Sequence, residues 1–224
     1  MGVKVKLVGF TAIVAALTLI MGTAFAATVT SKSQLGTSGV QKSEVSLGDL
    51  IADAMREALD TDFAFVSASE IKERDAQIAA GTVSTEDVTA YVAFTDDPIV
   101  EMKLTGKQIR QAMERSVFIY PKNNLGFLQI SGLRVTFDPN APQENRVKSI
   151  LVGDKGNKAL SDNETYTVAM TSSMANGALG YWKIWTKEDK VRGTELTIPD
   201  AVEQFFSSRN TIDYSNLNRI VVAE

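Results

Sequence analysis

The sequence of 224 residues contains no histidine and no cysteine, and its formal net charge is −4. The absence of both residue types excludes Ser–His and Cys–His nucleophilic catalysis, and it removes the commonest ligands of zinc. Because no basic cluster stands out, we expect no nucleic-acid partner.

Residues 1–26 show the three-part pattern of a secretory signal peptide. Two lysines precede an apolar run at residues 7–21, and an Ala-Phe-Ala motif occupies positions 24–26. This pattern predicts cleavage after Ala26 and a periplasmic or secreted mature chain that no longer contacts a membrane. An uncleaved amino-terminal anchor is the alternative, because the apolar run is nearly long enough to span a bilayer.

The next residues predict a flexible leader and then a first helix. Residues 27–39 are small and polar, which is typical of a flexible leader. The spacing of apolar side chains predicts a helix within residues 43–59, with Ser46 as N-cap and Asp49 completing a capping box. The other elements predicted in the first half are a strand at 62–68, a helix from Ser84 or Thr85, a strand at 100–104 and a helix at 105–117.

The second half is richer in predicted strands. They lie within residues 127–139, which Ser131-Gly132 interrupts, and within 146–157, 165–171 and 218–222. One more helix is predicted at 198–209, where a proline suits the first turn. Helices and strands mix without strict alternation, which favours an α+β fold for a single domain at residues 40–224.

Two groups of acidic residues could carry chemistry. Asp49, Asp53 and Glu57 recur on one helix face and could hold a calcium ion, although such a row is more often a solvated face. Asp96 and Asp97 precede a proline and could form an acid pair, but the pattern favours a turn. The sequence therefore predicts no catalytic residue, no metal site and no cofactor.

The stretch TSSMANGALGYWKIW at residues 171–185 combines two glycines with three aromatic residues. Gly177 and Gly180 could let the backbone approach a ligand, or they could serve a tight turn. Trp182 and Trp185 could stack on a sugar or a base, but a core or interface role is favoured. The residues alone leave these alternatives open.

Several motifs in fixed order resemble the carboxy-terminal domain of the 5'-nucleotidase family, over roughly residues 40–222. They are SEVSLGDLIADAMREA, GTVSTEDV, KLTGKQIRQAMERSV, FLQISGLRVTFDP, RVKSILV, ETYTVAM, ANGALGY and IPDAVEQFF with NRI. The resemblance implies an α+β, four-layer α/β/β/α sandwich. In the family, this domain follows a metallophosphatase domain and binds the nucleoside part of the substrate; the resemblance here covers the substrate-recognition domain alone.

The resemblance also implies where a nucleoside site would lie. Ser67 stands at the family's asparagine, and Lys72 stands at its arginine. Phe94 matches the first of two aromatics that sandwich the base, whereas Ser173 occupies the position of the second. Leu179 replaces the aspartate that holds the ribose hydroxyls. These substitutions predict a degenerate nucleoside site.

Three functions remain open at this point. The favoured one is a secreted or periplasmic, non-catalytic binding or structural module, in which Glu70 places a negative charge where a phosphate would approach. A second is the substrate-recognition subunit of a split nucleotidase that works with a separate metallophosphoesterase. A third is an extracellular scaffold or filament subunit that self-associates through the aromatic residues at 181–185.

Overall fold

The computed structural model describes Gly2 and residues 26–153, 156–216 and 218–223. Apart from Gly2 and Ala26, the predicted signal peptide lies outside the described residues and stays a prediction. Within the described ranges, no helix is long and apolar enough to cross a membrane.

Strands and helices mix along the chain. The strands are β1 (Thr28–Ser31), β2 (Phe63–Ser67), β3 (Gly81–Ser84), β4 (Pro98–Thr105), β5 (Leu128–Ser131), β6 (Leu133–Phe137), β7 (Val147–Val152), β8 (Lys158–Ala159), β9 (Thr165–Thr171), β10 (Lys190–Thr197), β11 (Thr211–Ile212) and β12 (Ile220–Val222). The helices are α1 (Ser46–Leu59), α2 (Thr85–Thr89), α3 (Gly106–Ser116), α4 (Ser172–Ala175) and α5 (Ile198–Ser207). Short 3-10 turns complete the path.

The strands form three sheets. The largest has the order β10-β4-β9-β2-β5, and it is mixed because β2 runs parallel to β9 but antiparallel to β5. The other two have the orders β12-β6-β7-β8 and β11-β1-β3. Helix α1 packs on β2, β5 and β9 and against α5, while α3 contacts both β4 and β7. Mixed sheets with helices packed on them confirm the predicted α+β class.

The prediction of a flexible leader at residues 27–39 is wrong. Strand β1 pairs antiparallel with β3 and parallel with β11. Val29 is buried, and the Leu35 side chain is fully buried. The small, polar composition indicated flexibility, but backbone pairing in a strand does not require large side chains. One buried leucine also holds the segment in place. The domain therefore begins before residue 40.

The predicted N-cap of α1 is wrong, whereas two other helices carry capping boxes that were not predicted. Thr105 caps α3 with Gln108, and Thr197 caps α5 with Asp200, each as a capping box. Helix α1 instead has Val45 at the N-cap and no side-chain cap. The Ser46 hydroxyl accepts the Gly36 N–H at 2.9 Å, so it fastens the preceding segment rather than the helix end.

Only Glu57 of the acidic row on α1 is exposed, as a solvated face would require. Asp49 is buried and Asp53 is half-buried, and both form ion pairs with Arg219. Glu57 binds Arg209. Among the described residues, no group of acidic side chains is arranged to hold a metal ion. The row serves packing against the carboxy-terminal segment.

Candidate functional site

The glycines of the 171–185 stretch are required by a turn. Gly177, Leu179 and Gly180 all have left-handed backbone conformations, with φ of 87°, 58° and 89°. A Cβ atom at Gly177 would lie 2.5 Å from the Cβ of Trp182, so only glycine fits there. This backbone path brings residues 178 and 179 to the surface of a cleft.

The two tryptophans of the stretch have different roles. Trp185 is buried, stacks on Tyr181 with ring centroids 4.8 Å apart, and donates its indole N–H to the Met174 carbonyl. The Tyr181 hydroxyl donates to the Gly126 carbonyl at 2.7 Å, and burial raises the pKa of Tyr181. Trp182 is 64% exposed. A core role is thus confirmed for Trp185, whereas Trp182 is at the surface, where an interface role stays a prediction.

An open cleft of about 550 Å³ lies beside this turn. Its volume suits a small organic ligand. The lining residues come from the end of β2, the segment before β4, helix α4 and the turn after it: Ser67, Ser69, Glu70, Phe94, Asp96, Asp97, Pro98, Ser173, Met174, Ala178 and Leu179.

Four of the five residues predicted for a degenerate nucleoside site line this cleft. They are Ser67, Phe94, Ser173 and Leu179. Lys72 does not, because its exposed side chain reaches toward the Ala90 carbonyl, 3.4 Å from Nζ. The structure therefore brings four of the predicted positions together and leaves the Lys72 ammonium group outside the cleft. The binding role of all five residues stays a prediction.

Glu70 is the most unusual group in the cleft. It is buried with an exposed fraction of 4%, and its Oε2 accepts both the backbone N–H and the hydroxyl of Ser67. Its Oε1 is buried without a hydrogen-bond partner. Burial raises the pKa of Glu70 to about 7 and the Asp97 charge adds to this. The Thr171 hydroxyl, which approaches the carboxyl without forming a hydrogen bond to Oε1, and the hydrogen bonds from Ser67 act in the opposite direction.

Asp97 has a place in the cleft that the sequence pattern does not predict. It was assigned to a turn, but it lines the cleft with Asp96, and its Oδ2 accepts the Ser173 N–H at 3.3 Å. The sequence shows that Asp96 and Asp97 are adjacent, but no local pattern indicates that they lie near Glu70. The lining residues thus include three carboxyl groups and no lysine or arginine.

Comparison with known proteins assigns the family. The profile of the family described as "5'-nucleotidase, C-terminal domain" matches residues 22–187. The chain belongs to the 5'-nucleotidase C-terminal domain family.

Relatives and solved structures agree with this assignment. An apyrase of Aedes albopictus is 28% identical over 193 residues, which cover 81% of this chain and 33% of the apyrase. The trifunctional nucleotide phosphoesterase YfkN of Bacillus subtilis is 30% identical over 150 residues, covering 63% of this chain and 10% of that protein. A 5'-nucleotidase precursor from Thermus thermophilus superimposes with a TM-score of 0.77 at 28% identity, covering 89% of this chain and 40% of that one.

These matches confirm the predicted family and its α+β sandwich fold. The chain spans about a third of the length of the Aedes albopictus apyrase. The family's C-terminal domain is therefore what this chain shares with these relatives.

Neutralising Glu70 is expected to stabilise this 5'-nucleotidase-family domain at alkaline pH. Between pH 4.5 and about 7 the folded protein holds a proton on Glu70 that the unfolded chain releases, so this group makes stability fall as pH rises. The raised pKa corresponds to a loss of about 3 kcal/mol in the free energy of unfolding once the pH exceeds 7. Glu70→Gln should remove this loss, because glutamine can still accept from Ser67.

Urea denaturation at pH 5 and pH 8 measures the effect. At pH 5 the free energies of unfolding of Glu70→Gln and the wild type should be similar. At pH 8 the variant should be the more stable of the two. Glu86→Gln, at an exposed position of α2, is the control and should leave the pH dependence unchanged. A Glu70→Gln variant that is less stable than the wild type at pH 8 would show that the carboxylate is well solvated there.

Proposed function

We propose that this domain is a non-catalytic ligand-binding module of the 5'-nucleotidase family whose cleft no longer accepts nucleoside phosphates. One observation carries the proposal: three carboxyl groups and no basic side chain line the cleft. Two like charges 4 Å apart repel by about 4 kcal/mol at an effective dielectric constant near 20. A phosphate that enters this cleft meets repulsion without a compensating cation.

The walls of the cleft support the same proposal. Phe94 is 54% exposed and offers one face for stacking, but Ser173 provides no opposing ring. Loss of one stacking partner costs about 1–3 kcal/mol. Leu179 offers no acceptor for ribose hydroxyls, and an unpaired hydroxyl costs about 1–3 kcal/mol more. A neutral nucleoside should therefore bind weakly even without the phosphate repulsion.

We also propose that the chain is exported and cleaved after Ala26. The basic start, the apolar run and the small-residue motif of residues 1–26 support this. A relative described as a snake venom 5'-nucleotidase from Naja atra, 28% identical over 157 residues, is compatible with it. Amino-terminal sequencing of the natural protein should begin at Ala27, and an intact Met1 would contradict the proposal.

Rebuilding the nucleoside contacts tests the proposed loss. The triple variant Glu70→Gln, Ser173→Phe and Leu179→Asp removes one carboxyl, adds a stacking ring and adds a ribose acceptor. Position 179 has φ of 58°, which aspartate tolerates better than leucine. Wild type should bind adenosine with a Kd of about 1 mM or weaker, and the variant should gain at least about tenfold, or about 1.4 kcal/mol.

Isothermal titration of both proteins with adenosine measures the gain. The control is the same triple variant with Phe94→Ala, which removes the opposite stacking wall and should cancel the improvement. Micromolar binding of adenosine by the wild type would contradict the proposal. A folded triple variant without any gain would show that the cleft does not hold the nucleoside in the manner of the family.

A further inference from the structure

The cleft is anionic and apolar at the same time. Besides its three carboxyl groups, an aromatic ring and several aliphatic or thioether side chains line it: Phe94, Pro98, Met174, Ala178 and Leu179. An aromatic face beside carboxyl groups attracts organic cations, because the ring quadrupole and the carboxylates both favour positive charge. The lining thus selects against anions and against fully polar ligands.

One oxygen of the Glu70 carboxyl, Oε1, accepts no hydrogen bond. Ser67 satisfies only Oε2, and Oε1 is buried with no partner. A buried unsatisfied acceptor is costly, and a charged donor is the strongest partner that it can gain. A primary ammonium group brings three N–H donors and one positive charge. A quaternary ammonium brings the charge without the donors.

We infer that this cleft binds a small primary ammonium compound with an apolar, preferably aromatic, body. The ammonium group pairs with the carboxyl groups of Glu70 and Asp97, and the apolar body lies against Phe94 and Leu179. This inference rests on the proposed function, since it names the ligand class of the same cleft after its loss of nucleoside phosphates.

The surroundings of Glu70 favour a cation from outside. Asp97 raises the pKa of Glu70, and Tyr181 faces it as a neutral phenol. Arg115 donates to the Leu179 carbonyl at 2.7 Å, is absent from the cleft lining, and makes no ion pair with Glu70. Lys72 lies outside the cleft as well. Binding of an ammonium should therefore release the proton that Glu70 holds below pH 7.

Three probes that share a phenyl ring test the inference. They are 2-phenylethylamine as its ammonium ion, 2-phenylethanol as the neutral match and 3-phenylpropionate as the anion. In isothermal titration at pH 7.5, the ammonium should bind at least about tenfold more tightly than the alcohol, and the carboxylate should not bind measurably. At pH 6, titration in two buffers of different ionisation enthalpy should show proton release with the ammonium alone.

Two variants locate the binding site. Asp97→Asn can keep the contact with the Ser173 N–H, and it should weaken ammonium binding at least about threefold. Phe94→Ala, at an exposed side chain, should weaken it to a similar degree. Asp75→Asn removes the same charge at an exposed position outside the cleft, and it should leave the affinity unchanged. Urea denaturation of all three variants confirms that they are folded.

The outcomes separate this inference from the proposed function. If the alcohol binds as tightly as the ammonium, if Asp75→Asn weakens binding as much as Asp97→Asn, or if no ammonium binding is seen, the inference is wrong. In those cases the proposed loss of nucleotide binding still stands. Tight binding of AMP by the wild type would instead overturn the proposed function itself.

Discussion

Replacing Trp185 with alanine is expected to destabilise the domain by about 3–5 kcal/mol. The indole is buried, and it stacks between Tyr181, at a centroid distance of 4.8 Å, and Phe65, at 6.5 Å. Truncation leaves a large cavity and removes the hydrogen bond of 2.9 Å from the indole N–H to the Met174 carbonyl, which keeps its other donor, the Gly177 N–H. Urea denaturation at pH 7 measures the loss.

Trp182→Ala is the matched control, because Trp182 lies three residues away in the same stretch and is 64% exposed. Its effect should stay below about 0.5 kcal/mol. If both substitutions cost the same, the assignment of one tryptophan to the core and the other to the surface would be wrong.

Replacing Arg219 with alanine should cost a similar amount, about 3–5 kcal/mol, by a different mechanism. The guanidinium binds Asp53 through two hydrogen bonds of 2.7 and 2.8 Å, and its Nε lies 3.3 Å from Asp49. Both acids lie on α1, whereas Arg219 precedes β12. Removal of the arginine leaves two buried or half-buried carboxylates without a counter-charge. Guanidinium chloride denaturation measures the loss.

Arg110→Ala is the control for a surface ion pair. Arg110 binds Asp162 at 3.2 Å, but both side chains are substantially exposed. Its removal should cost less than about 1 kcal/mol. Equal losses for Arg110→Ala and Arg219→Ala would contradict the view that the buried pair fastens the carboxy-terminal strand to α1.

The regular elements could be predicted because their signals are local. Capping boxes such as Thr105 with Gln108 and the glycine interruption at 132 act within a few residues of the elements they delimit. Strand β1 could not be predicted, because its order comes from pairing with β3 and β11, far along the chain. The role of Asp53 was hidden for the same reason, since its partner Arg219 is distant in sequence.

The candidate site shows the same division. The family resemblance placed Ser67, Phe94, Ser173 and Leu179 at one site, and the structure brings them to one cleft. Lys72 lies outside the lining of this cleft, because matching a position does not fix the direction of a long side chain. The burial of Glu70 and the approach of Asp97 depend on how the segment before β4 packs beside β2, which no local pattern in the sequence encodes.

The proposed function requires that the cleft persists but rejects nucleotides. Titration of isotope-labelled wild-type protein with AMP, followed by nuclear magnetic resonance, tests it at the residues themselves. We expect no saturable shifts at Phe94, Ser173 or Leu179 that correspond to a Kd below about 1 mM. Saturable shifts at these residues with a micromolar Kd would contradict it.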